Sequence, residues 1–284
     1  MEILGGRKAD QISYVMPRLN MHIHSQISKR GIEGGGEVHF VSACASGRIT
    51  RVMLADICAS PDIFEKLTSS MRRCLLRRIN AIWQCRIVCE TNQRLSEFAH
   101  EGAFATACLA TYFSPTRTLT ICNIGNPPAL LFRAGEKAWT ISRGEPQIGD
   151  GGGCEPIEGV LTQREYRHQR IKLSAGDIVV LLGNGFTQSS FSCGGLASHQ
   201  KLLACLNDSP NCDPMSRLSH LIGLVFDESE PPEDRTIIVC KATNTRVRFR
   251  DTLLAPFRWL RGACDATTFQ KETGGESLGI SGEN

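Results

Sequence analysis

Acidic or amide side chains stand at the ends of four apolar segments. Glu37 precedes one segment, Asp56 ends the next, Asn184 follows a third, and Glu233 and Asp234 precede a fourth. Divalent cations such as Mg²⁺ need several oxygen ligands, which can come from distant parts of a chain. Paired cations about 3.5–4 Å apart can hold a water that attacks a phosphate. If the four segments are neighbouring strands, their ends form a candidate site for this chemistry; otherwise these residues are ordinary polar groups at turns.

Composition narrows the class of protein. The chain has 284 residues, 41% of them hydrophobic and 21% charged, which is ordinary for a globular protein. A net charge of +3 is too small to indicate a nucleic-acid binder by itself. The 13 cysteines include no CxxC pair, so we expect reduced thiols in a cytoplasmic protein. The first 15 residues lack the apolar run of a signal peptide, and no run approaches the roughly 20 apolar residues that span a bilayer.

Alternating strands and amphipathic helices predict a layered fold. Consecutive hairpins favour antiparallel sheets over a repeated strand–helix–strand unit. Two helices fall between the early and middle strands and more helices fall late, so each group could cover one sheet. The predicted class is α/β (α+β), a sandwich of two antiparallel sheets flanked by helices. Strands are predicted at 38–44, 48–56, 104–113, 117–124, 129–133, 168–173, 177–183 and 235–241, and helices from Ser60, over about 83–99, and from Asp213.

Two further segments leave alternatives open. Residues 21–30 alternate in part and predict an edge strand, whose His22 and His24 could bind a metal or could lie on a polar strand face. We favour the polar face. Residues 244–284 form a predicted tail in which arginines alternate with large apolar residues, and its end has a disorder-prone composition. Such a segment could contact a membrane surface, although packing on the domain with its arginines outward is the favoured interpretation.

Four segments in order resemble one known family. They are GGGEVHFVSACASGRITRVMLADICAS, FATACLATYFSPTRTLTICNIGNPPALLFR, GDIVVLLGNGFTQS and EDRTIIVCKA. Together they resemble the PPM-type metal-dependent phosphatases (protein phosphatase 2C superfamily), in the bacterial SpoIIE-like branch. The resemblance covers about residues 20–242 and implies a four-layer αββα sandwich. It divides the chain into an extension over 1–20, a phosphatase domain over 21–243 and a tail over 244–284.

The resemblance also implies a site, and the chain departs from the family pattern within it. Glu37 stands where the family has aspartate, Asn184 where it has the aspartate of Thr-Asp-Gly, and Glu233 where it has the first Asp of Asp-Asp. Asp56 is retained, but the glycines and histidine that follow it in the family are absent. The implied metal ligands are Glu37, Asp56, the backbone carbonyl of Ile57, Asn184, Glu233 and Asp234, with Asp56 bridging the metals and the reacting water.

Two functions follow from this resemblance. The first is a protein serine/threonine phosphatase that uses one or two Mn²⁺ or Mg²⁺ ions to activate water against phosphoserine or phosphothreonine. Its substrate would be a phosphorylated protein, such as an anti-anti-sigma-type regulator, and no nucleic acid. The second is a pseudophosphatase that keeps the fold as a module for binding a phosphoprotein or another partner. Both site hypotheses require that Glu37, Asp56, Asn184 and Glu233 converge in the fold.

Overall fold

The computed structural model describes residues 3–28, 35–44, 47–81, 83–142, 168–185, 196–208, 213–226, 233–245 and 270–271. Within these ranges the helices are α1 (Pro61–Arg77), α2 (Cys85–Ser96), α3 (Leu196–Asn207) and α4 (Pro214–Phe226), with a 3-10 turn at Ala99–Glu101. The strands are β1 (Ile3–Gly6), β2 (Asp10–Met16), β3 (Leu19–Gln26), β4 (Gly35–Ala43), β5 (Ile49–Cys58), β6 (Phe104–Phe113), β7 (Thr118–Ile124), β8 (Leu130–Arg133), β9 (Ala138–Ile141), β10 (Gln169–Lys172), β11 (Ile178–Leu182), β12 (Arg235–Ala242) and β13 (Gln270–Lys271).

The strands form two sheets in which every pairing between strands is antiparallel. Sheet A has the order β1-β4-β5-β6-β7-β10, and sheet B has the order β13-β2-β3-β12-β11-β8-β9. Residues that alternate along a strand point to opposite faces of its sheet. Each sheet therefore has one face for its partner sheet and one for helices.

Three apolar clusters match these layers. One joins the facing sides of the two sheets, with Leu54 and Cys108 from sheet A and Ile238 from sheet B. A second packs α1 and α2 on the outer face of sheet A, and a third packs α3 and α4 on the outer face of sheet B. The predicted four-layer αββα sandwich is confirmed.

Helices α1 and α4 begin where the sequence places them, at Pro61 and Pro214. Proline suits the first turn because that turn leaves backbone N–H groups without helical partners. Asp213 caps α4 by accepting a hydrogen bond of 2.8 Å from the Ser216 N–H, and this bond lowers the pKa of Asp213. Ser60 precedes α1 but makes no side-chain capping bond.

The N-terminal residues differ from their prediction. Residues 3–16 were expected to lie in an extension, yet β1 pairs with β4 and β2 pairs with β3, so they complete both sheets. The strand predicted at an edge, now β3, is internal because β12 pairs with its other side. In the predicted tail, Gln270–Lys271 pair with β2 as β13, at the start of the end, 271–284, whose composition predicts disorder. Tail residues 246–269 and 272–284 lie outside the described residues.

No helix among the described residues is long and apolar enough to span a bilayer; the longest, α1, has 17 residues and is amphipathic.

Candidate active site

Sheet A brings three polar side chains together at one end of the sandwich. Glu37 on β4 lies opposite Asp56 on β5, and Asp56 lies opposite Thr106 on β6. Directly opposite residues of an antiparallel pair share a face. Val41 lies four positions from Glu37, and Leu54 and Cys108 lie two positions from Asp56 and Thr106, so each shares the face of its neighbour; all three belong to the cluster between the sheets. Glu37, Asp56 and Thr106 therefore point toward sheet B.

Sheet B supplies the other half of this end. β11 pairs antiparallel with β12, so the end of one strand meets the start of the other. The Gly183 N–H donates to the Thr236 carbonyl over 2.8 Å, which extends the pairing past β11. Asn184 follows that contact, and Asp234 immediately precedes β12. The two turns face the carboxylates of sheet A.

The Asn184 side chain joins the two sheets. Its amide nitrogen donates to Asp56 Oδ2 over 3.1 Å and to Thr106 Oγ1 over 2.9 Å. Asn184 is buried, so these bonds satisfy amide N–H groups that would be costly without partners. An aspartate here would place two carboxylates within contact of each other, whereas asparagine donates to Asp56.

Burial and repulsion from neighbouring carboxylates disfavour ionised Glu37 and Asp56. Burial raises the pKa of Glu37 well above its usual value, and the negative charge of Asp56 adds to the shift. Burial likewise raises the pKa of Asp56, against the opposing effect of the Asn184 hydrogen bond. The Gly185 N–H donates to Glu37 Oε1 over 2.9 Å. Glu37 Oε2 is buried without a well-formed hydrogen bond, although the Thr236 hydroxyl exerts a smaller stabilising effect on the carboxylate.

The negative charge of Asp234 is compensated by an arginine of the same chain. Arg7, directly after β1, forms a two-pronged ion pair with it, with Nε–Oδ2 at 2.7 Å and a second bond to Oδ1 at 3.1 Å. The backbone N–H groups of Ser28 and Glu37 also donate to the Asp234 carboxylate, over 2.8 and 3.1 Å. A β-carbon on Gly36 would come within 3.0 Å of both Asp234 and Arg7, so glycine is required beside this pair.

Glu233 reaches the edge of the same group, but Ile57 does not reach it. Glu233 is exposed as a whole, but its carboxyl is partly buried. This burial raises the pKa of Glu233, and repulsion from Asp56 and Asp234 adds to the shift. Its Cβ would lie 3.4 Å from a β-carbon on Gly185, which places it beside the turn after β11. Ile57 lies inside β5, and its carbonyl faces the backbone of Gly35 on β4. Glu37, Asp56, Asn184, Glu233 and Asp234 thus converge as required, whereas the Ile57 carbonyl is directed at a neighbouring strand.

These residues fit one divalent cation between Glu37 and Asp56. Within the ranges that the structure describes, no three His, Cys, Asp or Glu side chains form a ready metal shell. Mg²⁺, however, uses one or two protein carboxylates and keeps several waters. A cation here would meet the buried Glu37 Oε2 and offset the burial and repulsion that raise the pKa values of Glu37 and Asp56. A second cation would compete with Arg7 for Asp234.

For His22 and His24, local contacts favour a polar strand face over a metal site. His22 Nδ1 is hydrogen-bonded to Ser13 Oγ over 2.8 Å, and the His24 ring lies 6.0 Å from the Phe226 ring. Within the described ranges, neither histidine belongs to a group of three or more His, Cys, Asp or Glu side chains that could hold a metal ion. Both lie on the face of β3 turned away from the sheet interface, since Met21 and Ile23 occupy the interface.

Two residues that contact this site, Arg7 and Thr106, are not among those predicted from the sequence. Arg7 precedes every matched segment, and nothing in its neighbourhood links it to Asp234, 227 positions later. Thr106 could have been found from register, because it lies in the predicted strand that follows the helices and pairs with β5.

Comparison with known proteins identifies a family for the chain and relatives for its fold. The family model described as Stage II sporulation protein E (SpoIIE) matches residues 65–243, more than half of the chain. The structure is similar to the PP2C phosphatase domain of SpoIIE from Bacillus subtilis, with 15% identity and a TM-score of 0.59 over 85% of this chain and 70% of that one. No curated protein sequence matches the chain significantly.

Two structures similar to this one contain metals. RsbX in complex with magnesium shares 12% identity at a TM-score of 0.58, over 82% of this chain and 100% of that one. The catalytic domain of the serine/threonine phosphatase PstP in complex with two manganese ions shares 15% identity at a TM-score of 0.53, over 80% of this chain and 99% of that one. At these identities the likeness establishes the fold.

Proposed function

The chain belongs to the SpoIIE family of PP2C-type phosphatases, and we propose that it hydrolyses phosphoserine or phosphothreonine in a partner protein. The observation that carries this proposal is the pair of the buried Glu37 and the half-buried Asp56, which lie opposite each other on β4 and β5. Burial raises the pKa of both carboxyls, and repulsion from Asp56 adds to the shift of Glu37, so the ionised pair destabilises the fold unless a cation compensates it. Such costly groups are typical of functional sites.

Each residue of the site has a role in this proposal. When bound, Mg²⁺ or Mn²⁺ would activate water and stabilise negative charge on the phosphoryl oxygens. Asp56 and Glu37 hold the cation. Asn184 fixes the orientation of Asp56 through its amide, and the Gly185 N–H fixes Glu37 in the same way. Glu233, exposed beside them, would contact the solvent shell of the cation.

The partner that we propose is a phosphorylated regulator of a cytoplasmic bacterial signalling pathway, such as an anti-anti-sigma-type protein. Family membership supports this class of substrate. The cysteine usage noted above supports a reducing compartment.

Hydrolysis of a phosphothreonine peptide and a small aryl phosphate, with Mn²⁺ titrated, tests the proposal. We expect metal-dependent turnover that Asp56→Asn reduces by at least about 100-fold, since each 1.36 kcal/mol of lost transition-state stabilisation costs a factor of ten. Asp62→Asn is the matched control, because Asp62 is an exposed carboxylate in the first turn of α1. Equal turnover in native protein and Asp56→Asn would refute the assigned role.

A second candidate, the pseudophosphatase, is favoured by two contacts. Arg7 neutralises Asp234, and Asn184 donates to Asp56, so two carboxylates are partly compensated by the chain itself. In that case the fold would bind a phosphoprotein without hydrolysing it. Binding of the phosphothreonine peptide with no turnover at saturating Mn²⁺ would establish this second function over the first.

A further inference from the structure

A dense group of arginines covers the second half of α1, the connection and α2. Between residues 72 and 97 the charged residues are six arginines and two glutamates, with no lysine. The excess of four positive charges exceeds the net charge of +3 on the whole chain. The members of this arginine surface are Arg72, Arg73, Arg77, Arg78, Arg86, Glu90, Arg94 and Glu97.

A shallow groove runs through this surface between the two helices. Its volume is about 490 Å³, and it is lined by Arg78, Arg86, Cys89, Glu90, Gln93 and Arg94. Glu90 lies within it and forms ion pairs with Arg77 and Arg78. These pairs connect the exposed side of α1 to the groove and hold the two guanidinium groups in place.

Two exposed apolar side chains lie in the same segment of the chain as the groove. Trp83, in the connection, is 66% exposed, and Leu76, in the last turn of α1, is 51% exposed; these are the two most exposed large hydrophobic residues in the described part of the chain. The Arg170 guanidinium lies 5.7 Å from the centre of the Trp83 ring, a cation–π arrangement that supports one face of the ring. Tryptophan and arginine are the residue types that contribute most to binding energy at protein interfaces.

The surface is held rigidly from below. Arg51 on β5 is 1% exposed, and its guanidinium donates to the carbonyls of Arg78 and Ala81 at the start of the connection. The Gln84 side chain accepts from the Thr111 hydroxyl over 2.7 Å and lies 3.1 Å from a ring nitrogen of His168. Trp83 therefore stands between two anchored residues. A preorganised surface loses less conformational freedom on binding.

We propose that this arginine surface binds an acidic segment of a partner protein, with Trp83 as the apolar anchor. Guanidinium groups pair with carboxylates through two parallel hydrogen bonds, which a surface without lysine is suited to exploit. Glu90 in the groove disfavours a continuous phosphate backbone, while a peptide can offer both carboxylates and N–H donors. Two isolated apolar side chains do not make the apolar face by which a helix enters a lipid surface.

This surface is distinct from the candidate active site. α1 starts three residues after β5, beside that site, and its 17 residues span about 25 Å. The connection after α1 lies over Arg51, near the start of β5, which is the opposite end of that strand. Binding of the acidic segment is thus expected to persist in Asp56→Asn.

Fluorescence anisotropy of a short labelled peptide of glutamate, aspartate and leucine tests the proposal with the full chain. We expect saturable binding of the peptide that weakens as the salt concentration rises. Arg86→Glu and Trp83→Ala should each weaken this binding by about tenfold, which corresponds to about 1.4 kcal/mol. Lys137→Glu is the matched control, because Lys137 is exposed in the turn between β8 and β9 on the other side of the sandwich. Both Arg86 and Trp83 are exposed, so their variants should fold.

Three results would overturn the proposal. One is absence of peptide binding by the native chain. Another is equal weakening by Lys137→Glu and Arg86→Glu, which would indicate general charge attraction. The third is tighter binding of a single-stranded oligonucleotide or an anionic phosphatidylserine vesicle than of the peptide, lost in Arg86→Glu, because either would assign the surface to another class of partner.

Discussion

The Glu37 carboxylate occupies the place that a side chain on Gly183 would fill. A β-carbon at residue 183 would lie within 3.0 Å of both carboxylate oxygens, closer than real β-carbons approach such atoms. In the family pattern that the sequence resembles, these two positions hold aspartate and threonine. The longer acid and the missing side chain are therefore complementary, and the two departures from the pattern belong to one structural change.

This complementarity predicts a strong coupling between the two positions. Gly183→Thr alone should destabilise the protein by about 1–3 kcal/mol, because the new side chain overlaps the Glu37 carboxylate. Adding Glu37→Asp shortens the acid and should restore much of that loss. Urea denaturation of the native protein, both single variants and the double variant gives the coupling energy.

The expected coupling is favourable and at least about 1 kcal/mol. Gly176→Thr provides a contrast, since that glycine has a positive φ of 92° and lies in the turn before β11, where Glu37→Asp should give no rescue. Additive losses in the Glu37 and Gly183 cycle would show that the two side chains do not share this space.

The Arg7–Asp234 pair should contribute substantially to stability without metal. The Asp234 side chain is 3% exposed, so Arg7→Gln leaves a buried charge without its main counter-charge. Breaking such a pair costs about 3–5 kcal/mol. Chemical denaturation in the presence of a chelator measures the loss, and Arg7→Gln combined with Asp234→Asn should recover part of it. A change below about 0.5 kcal/mol for Arg7→Gln would contradict the ion pair.

His24 should make stability depend on pH in mildly acid solution. Burial, with repulsion from His22, lowers the pKa of His24 from 6.5 to about 4. Between these values the unfolded chain binds more protons than the folded chain, so the free energy of unfolding rises with pH. The contribution of His24 is present above pH 6.5 and is lost as the pH falls through about 4.

His24→Gln should flatten that part of the pH profile, measured by thermal unfolding across the acid range. His220→Gln is its control, because His220 is exposed on α4. A profile that keeps its full slope in His24→Gln would assign the acid sensitivity to other groups.

Arg51 should stabilise the connection that carries Trp83. Arg51→Met would leave the carbonyls of Arg78 and Ala81 without their buried donor, at a cost of about 3 kcal/mol. Arg73→Met, on the exposed side of α1, should change stability by less than about 0.5 kcal/mol. Hydrogen exchange of the connection distinguishes local loosening from global loss, and unchanged protection in Arg51→Met would contradict the anchoring role.

The sequence predicted the layers and the convergence of the site because both depend on local patterns. Strand alternation and turns identify the hairpin that sets Glu37 opposite Asp56, and apolar periodicity identifies the helices on sheet A. Asn184 and Asp234 lie at the same end of sheet B because β11 and β12 are neighbours, an arrangement that the site hypotheses required.

What the sequence could not predict depends on contacts between distant segments. The alternation around β3 is equally compatible with an edge strand, and only its pairing with both β2 and β12 shows that it is internal. Arg7 reaches Asp234 because β1 pairs with β4, a contact between short segments with no strong pattern of their own. The resemblance to the family implies that the Ile57 carbonyl is a metal ligand. In the structure β5 continues through Cys58, so this carbonyl lies within the strand.

Direct measurement of Mn²⁺ binding by isothermal titration calorimetry tests the central claim, that Glu37 and Asp56 hold one cation. The native protein should bind one ion, and both Asp56→Asn and Glu37→Gln should weaken binding by at least about tenfold. Asp62→Asn, in the first turn of α1, should leave it unchanged. Absence of Mn²⁺ binding by the folded native protein, or equal affinity in Asp56→Asn, would contradict the claim.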